Sequence, residues 1–381
     1  METLTTAQGS FKLDRYPVRA KETLRAWDAA DEYVLHYLAE QQLHGKSTLI
    51  LNDSFGALSV ALAQDSPVML SDSYIAQQAT LHNLQVNGID PIQVSLTDSL
   101  SYSAENGPAG VKFDLIIIKI TKSLAQLEDQ LHRIRPLLKP DTTIVAEGMV
   151  KGIHTSTLNL FEKILGPTHT SLARKKARLI FCQFEESLIP PLNKYPKQYL
   201  LEGSQYQITN HANVFSREKL DIGTRFFIQN LPADGRFKSI IDLGCGNGIV
   251  GLMAAEKNPA ATLTFVDESH MAVASAKDNF NRAFPDRDGL FKVTDCLNGI
   301  SEASADLILN NPPFHQQTAI GDFIAWQMFK EARQVLKVGG EMWVIGNRHL
   351  GYHVKLKQLF GNCLTVASNK KFIILKSVKE K

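Results

Sequence analysis

From Leu200 to Lys381 the chain alternates apolar runs of four to seven residues with amphipathic stretches, the pattern of a parallel sheet whose strands are joined by helices. Strands are predicted at Ser239 to Leu243, Thr262 to Asp267, Phe291 to Thr294, Asp306 to Asn310, Glu341 to Gly346, Cys363 to Ala367 and Phe372 to Val378. The N-terminal half repeats the plan. Leu49 to Gly56 stands where Ile240 to Gly246 stands, Val68 to Asp72 parallels Thr264 to Asp267, Phe113 to Lys119 parallels Ala305 to Asn311, and Leu137 to Pro140 parallels Val335 to Val338, at offsets of 190 to 198. Prolines 190, 191 and 196 interrupt any regular element between the halves. The expectation is a doubly wound α/β domain at 1-185, a linker at 186-199 and a second such domain at 200-381.

The repeat is unequal. Of the three glycines in Gly244-Cys245-Gly246-Asn247-Gly248 the first copy keeps one, Gly56, and Lys119-Ile120-Thr121-Lys122 replaces Asn311-Pro312-Pro313-Phe314. A copy without those features is expected to bind or scaffold rather than catalyse, with Lys119 a plain surface lysine. Composition adds little. At 44% apolar and 21% charged the 381 residues are ordinary globular material, enough for two domain cores. No apolar run approaches the roughly 20 residues that span a bilayer, and Met1 to Gly9 is polar, so a cytoplasmic protein is expected. Four scattered cysteines without a C-x-x-C pair or clustered histidines point to reduced core thiols, with neither a disulfide framework nor a metal site. A net charge of +2 is too small for nucleic-acid binding by bulk electrostatics and leaves that role to a local patch.

Candidate chemistry begins at Ser239 to Gly248, an apolar strand ending in a carboxylate and a glycine turn that opens a helix. Glycines let backbone approach a cofactor where a Cβ would clash. The spacing Gly246-x-Gly248-x-x-Gly251 also matches a dinucleotide fingerprint, but Asp242 at the strand end would repel a pyrophosphate and could accept from a cationic group. Asp267 ends the second strand, where its two oxygens suit ribose hydroxyls; Asp295 follows the third and could accept from an adenine amine or simply cap a loop. The set Asp242, Gly244, Gly246, Gly248, Asp267 and Asp295 reads as a cradle for S-adenosyl-L-methionine.

Asn311-Pro312-Pro313-Phe314 is the most specific signal. Two prolines fix φ, remove two N–H donors and leave stiff carbonyl acceptors. The Asn311 side-chain oxygen and the Pro312 carbonyl can take both hydrogens of a planar amine while Phe314 stacks on its ring. Two acceptors drawing the amine toward tetrahedral geometry act by positioning and electrostatics, with no need of a metal. His315 reads as packing or a substrate contact, and Asp221 as the cap of a helix from Thr224 to Leu231 or part of a segment closing over the cofactor. The loop alone cannot separate guanine N2, adenine N6 or a protein glutamine as the acceptor. A non-catalytic RNA-binding assembly factor and a nicotinamide oxidoreductase also stay open, the latter without an account of the Pro-Pro loop.

Ala212 to Arg217, Asp221-Ile222-Gly223, Asp242 to Gly248, Asn311 to His315 and the altered first copy together resemble the bacterial ribosomal RNA guanine N2-methyltransferases over essentially the whole chain. Asn52 to Leu58, Phe161 to Pro167 and Gly346 to Leu350 resemble the large-subunit members more than the small-subunit ones. The resemblance implies two tandem Rossmann-like class I methyltransferase folds, each a seven-stranded, mostly parallel sheet, the first degenerate. It implies methylation of one guanine N2 in 23S rRNA, position 1835, on protein-free RNA. A monomer is expected. It carries cofactor roles to Asp242, Gly244, Gly246, Asp267 and Asp295 and the catalytic role to Asn311, Pro312, Pro313 and Phe314. For the RNA, Arg174, Lys175, Lys176 and Arg178 form a basic stretch suited to phosphates, with a solvated face the plain alternative. A stacked target base would have to be flipped out to reach Phe314.

Overall fold

The computed structural model describes residues 2–19, 22–102, 111–233, 235–313 and 319–381, the side chains of 319–322 excepted. Contacts divide the chain into two units, Met1–Tyr195 and Pro196–Lys381. Residues 197–199, expected in the linker, thus open a strand of the second unit.

The first unit begins with a hairpin, β1 (Glu2–Thr6) and β2 (Gly9–Leu13), followed by α1 (Ala29–Glu40). Its sheet is built from β3 (Thr48–Leu51), β4 (Val68–Leu70), β5 (Ser95–Thr97), β6 (Leu115–Lys119), β7 (Thr143–Met149), β8 (Thr168–Thr170) and β9 (Ala177–Cys182), with α2 (Ala57–Ala61), α3 (Tyr74–Val86), α4 (Leu124–Ile134) and α5 (Thr155–Ile164) between strands. The order is β5-β4-β3-β6-β7-β9-β8, with β9 antiparallel to both neighbours. The central strands are buried on both faces, which is why Leu49-Ile50-Leu51 and Leu115 to Ile118 are unbroken apolar runs.

The second unit has the same plan: a hairpin of β10 (Lys197–Leu200) and β11 (Gln207–Asn210), α6 (Ile222–Gln229), then β12 (Ser239–Leu243), α7 (Ile249–Lys257), β13 (Thr262–Asp267), α8 (His270–Ala283), β14 (Gly289–Val293), β15 (Ala305–Asn310), α9 (Ala319–Val335), β16 (Leu336–Asn347), α10 (Tyr352–Phe360), β17 (Leu364–Ser368) and β18 (Phe372–Val378). Its order, β14-β13-β12-β15-β16-β18-β17, repeats the first sheet strand for strand. All seven strands expected here form, within a few residues of their expected ends. The largest difference is β16, which starts at Leu336 because the glycines at 339 and 340 lie within the strand.

The duplication includes the hairpin, which the apolar pattern did not reveal. Asn83 of α3 exchanges two hydrogen bonds with the backbone of Asp14 and donates to the Phe55 carbonyl; Asn279 of α8 does the same with Thr209 and the Asn247 carbonyl. One amide thus ties hairpin, glycine turn and third helix together in each copy. Among the described residues no helix is long and apolar enough to cross a membrane.

Candidate active site

Strand order places the candidate residues along one edge of the second sheet. β12 lies between β13 and β15, so the chain turns toward opposite sides of the sheet after β12, and the crevice at the carboxyl ends of such strands is where doubly wound folds bind ligands. Leu243 pairs with Val266 on one side and Asn310 on the other. The next residues, Gly244, Asp267 and Asn311, therefore stand side by side, and Asp295 follows the end of β14.

The glycine turn needs its glycines for separate reasons. Gly248 caps α7 at φ 77°, and a Cβ there would lie 2.7 Å from the Ala276 Cβ on α8. Gly246, at φ 54°, faces open space, with nothing within 4 Å of a built Cβ, so it keeps backbone exposed at the crevice. Asp267 braces this turn: Oδ2 accepts from the Gly246 N–H at 2.9 Å and Oδ1 from the Ser269 N–H at 3.0 Å. Asp295 is half-buried and held from α9, where Gln327 Nε2 donates to its Oδ1 at 3.3 Å and to Glu331 at 2.9 Å. Burial, reinforced by Asp295, pushes Glu331 above the usual carboxylate range.

Asp242 sits beneath the turn. It is buried, and its Oδ2 accepts from the Gly251 N–H at 2.7 Å. Burial pushes its carboxyl up to about 8; the Gly251 bond opposes this, and the nearby Asp267 charge adds to it. A buried acid bracing the first turn of α7 is the arrangement found here.

Asn311 is oriented by a short chain of bonds. Asp221 caps α6 by accepting from the Thr224 N–H at 3.0 Å; the Thr224 hydroxyl donates back to Asp221 at 3.4 Å and accepts from Asn311 Nδ2 at 3.1 Å. With its amide nitrogen so engaged, Asn311 Oδ1 is left buried without a donor among the described residues. Buried acceptors are rarely orphaned, and one at a crevice edge fits an N–H donor brought by a ligand. The helix opens two residues before the expected Thr224, and the capping role expected of Asp221 is what places Thr224 against the loop. Pro312 is buried and Pro313 exposed, while Phe314 and His315 lie outside the described residues.

Two family models divide the chain as its contacts do: residues 1–186 match "RLMG N-terminal domain" and residues 205–376 match "Methyltransferase small domain". A ribosomal RNA large subunit methyltransferase G from Aeromonas salmonicida is 51% identical over the whole of both chains, and one from Klebsiella pneumoniae is 52% identical over 97% of this chain and 96% of its own. The chain belongs to the ribosomal RNA large subunit methyltransferase G family. Among solved structures, a Thermus thermophilus 16S rRNA N2 G1207 methyltransferase (RsmC), described in complex with AdoMet and guanosine, superposes with a TM-score of 0.77 over 99% of this chain and 97% of its own, at 21% identity. The shared fold is the tandem pair of methyltransferase-type domains expected from the sequence.

In the first copy, ladder bonds align Asn52 with Gly244: each donates its N–H to the end of the second strand, at 3.0 and 2.9 Å, with φ 65° and 69°. Gly56 thereby corresponds to Gly248, two residues on from the match suggested by sequence. Ser71 stands for Asp267 and Lys119 for Asn311. Asn52 donates to the Lys119 carbonyl and exchanges bonds with Gln130. Lys119 corrects its reading as a surface lysine: its side chain is 16% exposed and paired with Asp31 at 2.5 Å, Glu147 at 3.3 Å and Asp28 at 3.9 Å. Burial alone would lower its pKa, but the three carboxylates raise it above the ordinary value. Burial pushes Asp31 and Glu147 upward despite Lys119. The signal was present in the strand-end Lys, but its acidic partners lie 88 residues upstream and 28 downstream in sequence.

The basic stretch forms a hairpin tip. Arg174 and Ala177 exchange both backbone bonds, leaving Lys175 at φ 48° and Lys176 at φ 64° as a two-residue turn. Arg174, Lys175 and Lys176 are exposed; Arg178, inside β9, is half-buried. Thr224, Gln327 and Glu331 were missed as supporting residues. The Asp-x-x-Thr cap and the Gln-x-x-x-Glu spacing on one helix face are ordinary enough to carry no signal without the fold.

Proposed function

We propose that this protein transfers the methyl group of S-adenosyl-L-methionine to the exocyclic N2 of guanine 1835 in 23S rRNA, acting on protein-free RNA as a cytoplasmic monomer, with the second copy catalysing and the first holding RNA. The observation that carries this reading is the orphaned Asn311 Oδ1, fixed by Thr224 at the crevice edge. The open backbone at Gly246 beside Asp267 fits an adenosine bearing a sulfonium side chain, and Asp295, after β14, would accept from its adenine amine. When bound, the cofactor supplies an electrophilic methyl carbon. Asn311 and the Pro312 carbonyl accept the two amine hydrogens and hold the nitrogen lone pair toward that carbon, which is stabilisation by preorganised acceptors. The Arg174 to Lys176 tip offers positive charge to phosphates without reading sequence. Membership of the family supports the rRNA substrate, and the similarly folded Thermus thermophilus 16S rRNA N2 G1207 methyltransferase, solved with AdoMet and guanosine, is consistent with an N2 amine as acceptor.

The test is to incubate the purified chain with unmodified 23S transcript and labelled cofactor and map the product by mass spectrometry. Label is expected on one guanine N2, and label on adenine or on protein would overturn the assignment. Asn311→Ala is expected to cut turnover by about 10²- to 10³-fold, the range for loss of one preorganised hydrogen-bonding group, with cofactor affinity unchanged. Unaltered turnover would remove Asn311 from its role.

A further inference from the structure

A second concave site lies in the first copy. A cleft of about 550 Å³ is lined by Thr6, Glu32, Tyr33, His36, Arg174 and Lys175, within the range of small-molecule pockets. Its chemistry differs from one wall to another. Tyr33 and His36, one turn apart on α1, present rings, and Tyr33 is fixed by its hydroxyl donating to the Leu172 carbonyl at 3.2 Å. Above the Tyr33 ring, at 5.3 Å, lies the Arg174 guanidinium. Glu32 closes another side, its carboxylate taken by Lys175 at 2.9 Å, Trp27 at 3.1 Å and Arg25 at 3.2 Å. Thr6 Oγ1 is buried, with no partner among the described residues.

The hairpin that supplies the cations is held in an unfavourable form. Lys175 and Lys176 both occupy the left-handed region, which non-glycine residues other than Asn and Asp rarely adopt, and the turn keeps Arg174 and Lys175 in the wall of the cleft with Lys176 next to them in the chain. Aromatic faces beside phosphate-binding cations are how proteins hold unpaired nucleotides, because every base has a face to stack and every linkage has a charge.

Building on the first copy's role in holding RNA, we infer that this cleft binds one unpaired ribonucleotide of the substrate RNA, distinct from the base that is methylated. The base stacks on Tyr33 in place of Arg174, which moves to the attached phosphate beside Lys176. Glu32 keeps phosphate off its own wall and accepts from an N–H on the base edge, while Thr6 Oγ1 is free to bond ribose or base. Neither a paired nucleotide nor a bare phosphate would use the rings.

The test uses the full-length chain and a protein-free 23S transcript carrying 4-thiouridine. Photo-crosslinks are expected in peptides containing Tyr33 or residues 172–176. Tyr33→Leu is expected to weaken RNA binding about tenfold, as for loss of one base stack, and to raise KM with kcat and the salt slope unchanged. Lys176→Ala is expected to weaken binding and reduce the salt slope by about one. Tyr33→Phe keeps the ring and loses the bond to Leu172, so it should bind like the parent; a loss equal to that of Tyr33→Leu would make Tyr33 a structural tether and overturn the inference. Crosslinks confined to other parts of the first copy would overturn it too, and this measurement needs no variant to fold. A chain that binds the transcript through Tyr33 without methylating it would sink the proposed reaction and leave the cleft standing. Methylation unaffected by Tyr33→Leu would do the reverse.

Discussion

After the central strand of each sheet the chain makes the same turn, and the two copies fill it differently. In the second copy Gly246 keeps backbone open at the crevice, Asp267 braces the turn with both oxygens, and Asn311 holds an acceptor with no donor among the described residues. In the first, the Asn52 amide occupies the turn and bonds to Gln130, Ser71 replaces the acid, and the position of Asn311 holds a lysine locked between buried carboxylates. Where the second copy leaves the Asn311 acceptor without a donor among the described residues, the first has a lysine paired within the domain. A site for a ligand and a piece of interior differ here in what is left unpaired, at matching positions of one fold.

This contrast is broken most severely at Lys119. Lys119→Met keeps the length of the side chain but leaves Asp31 and Glu147 without a cation, and removing one partner of a buried ionic group costs about 3–5 kcal/mol. Denaturant unfolding of the full chain should show the first copy's transition weakened by that order while cofactor affinity stays put. An unchanged midpoint would mean that the cluster contributes nothing to stability.

Next in size is a pH effect at Asp242, the second copy's own buried acid. A carboxyl that keeps its proton to about pH 8 when folded but only to about pH 4 when unfolded binds more protons in the native state throughout that window. Stability therefore falls as pH rises between those values, at up to about 1.4 kcal/mol per unit, and is fully present only below pH 4. Asp242→Asn retains an acceptor for the Gly251 N–H and has no proton to lose. The variant's second transition should be flatter than the parent's from pH 5 to pH 8, and parallel curves would show that Asp242 is ionised in the folded chain.

How much of this contrast the sequence carried depended on range. Strands buried on both faces wrote themselves as apolar runs, and the glycine turn and the Asn-Pro-Pro loop are contiguous, so the fold, the duplication and the line Gly244, Asp267, Asn311 were all legible. Partnerships between distant segments were not. Lys119 read as a surface residue because a lysine at the end of a strand looks alike whether it faces water or Asp31. The hairpins β1–β2 and β10–β11 escaped because they are short, with few buried apolar residues each, and are tied down by Asn83 and Asn279 on helices about 70 residues away.

Thr224 belongs to the same class, and its removal sharpens the comparison at the catalytic position. Thr224→Val preserves shape and takes away the hydroxyl that fixes Asn311. Turnover should fall about tenfold, the equivalent of one ordinary hydrogen bond lost from a positioned group, with KM and cofactor affinity nearly unchanged. Thr224→Ser should restore most of it. A uniform loss in both variants, or a rise in KM alone, would make Thr224 only a packing residue of α6.

The smallest effect is expected where the first copy is plugged. Asn52→Gly recreates the Gly244 backbone and removes the amide bonds to Gln130 and Lys119; glycine also relieves an asparagine held at φ 65°, so the stability change should be no more than about 1 kcal/mol. If the plug alone separated the copies, the variant would take up two equivalents of S-adenosyl-L-methionine by calorimetry. One equivalent is expected instead, because Ser71 offers no carboxylate to a ribose and Lys119 would place a cation beside a sulfonium. Binding of a second equivalent, even weakly, would show that the first copy has kept a cofactor pocket and lost only its entrance.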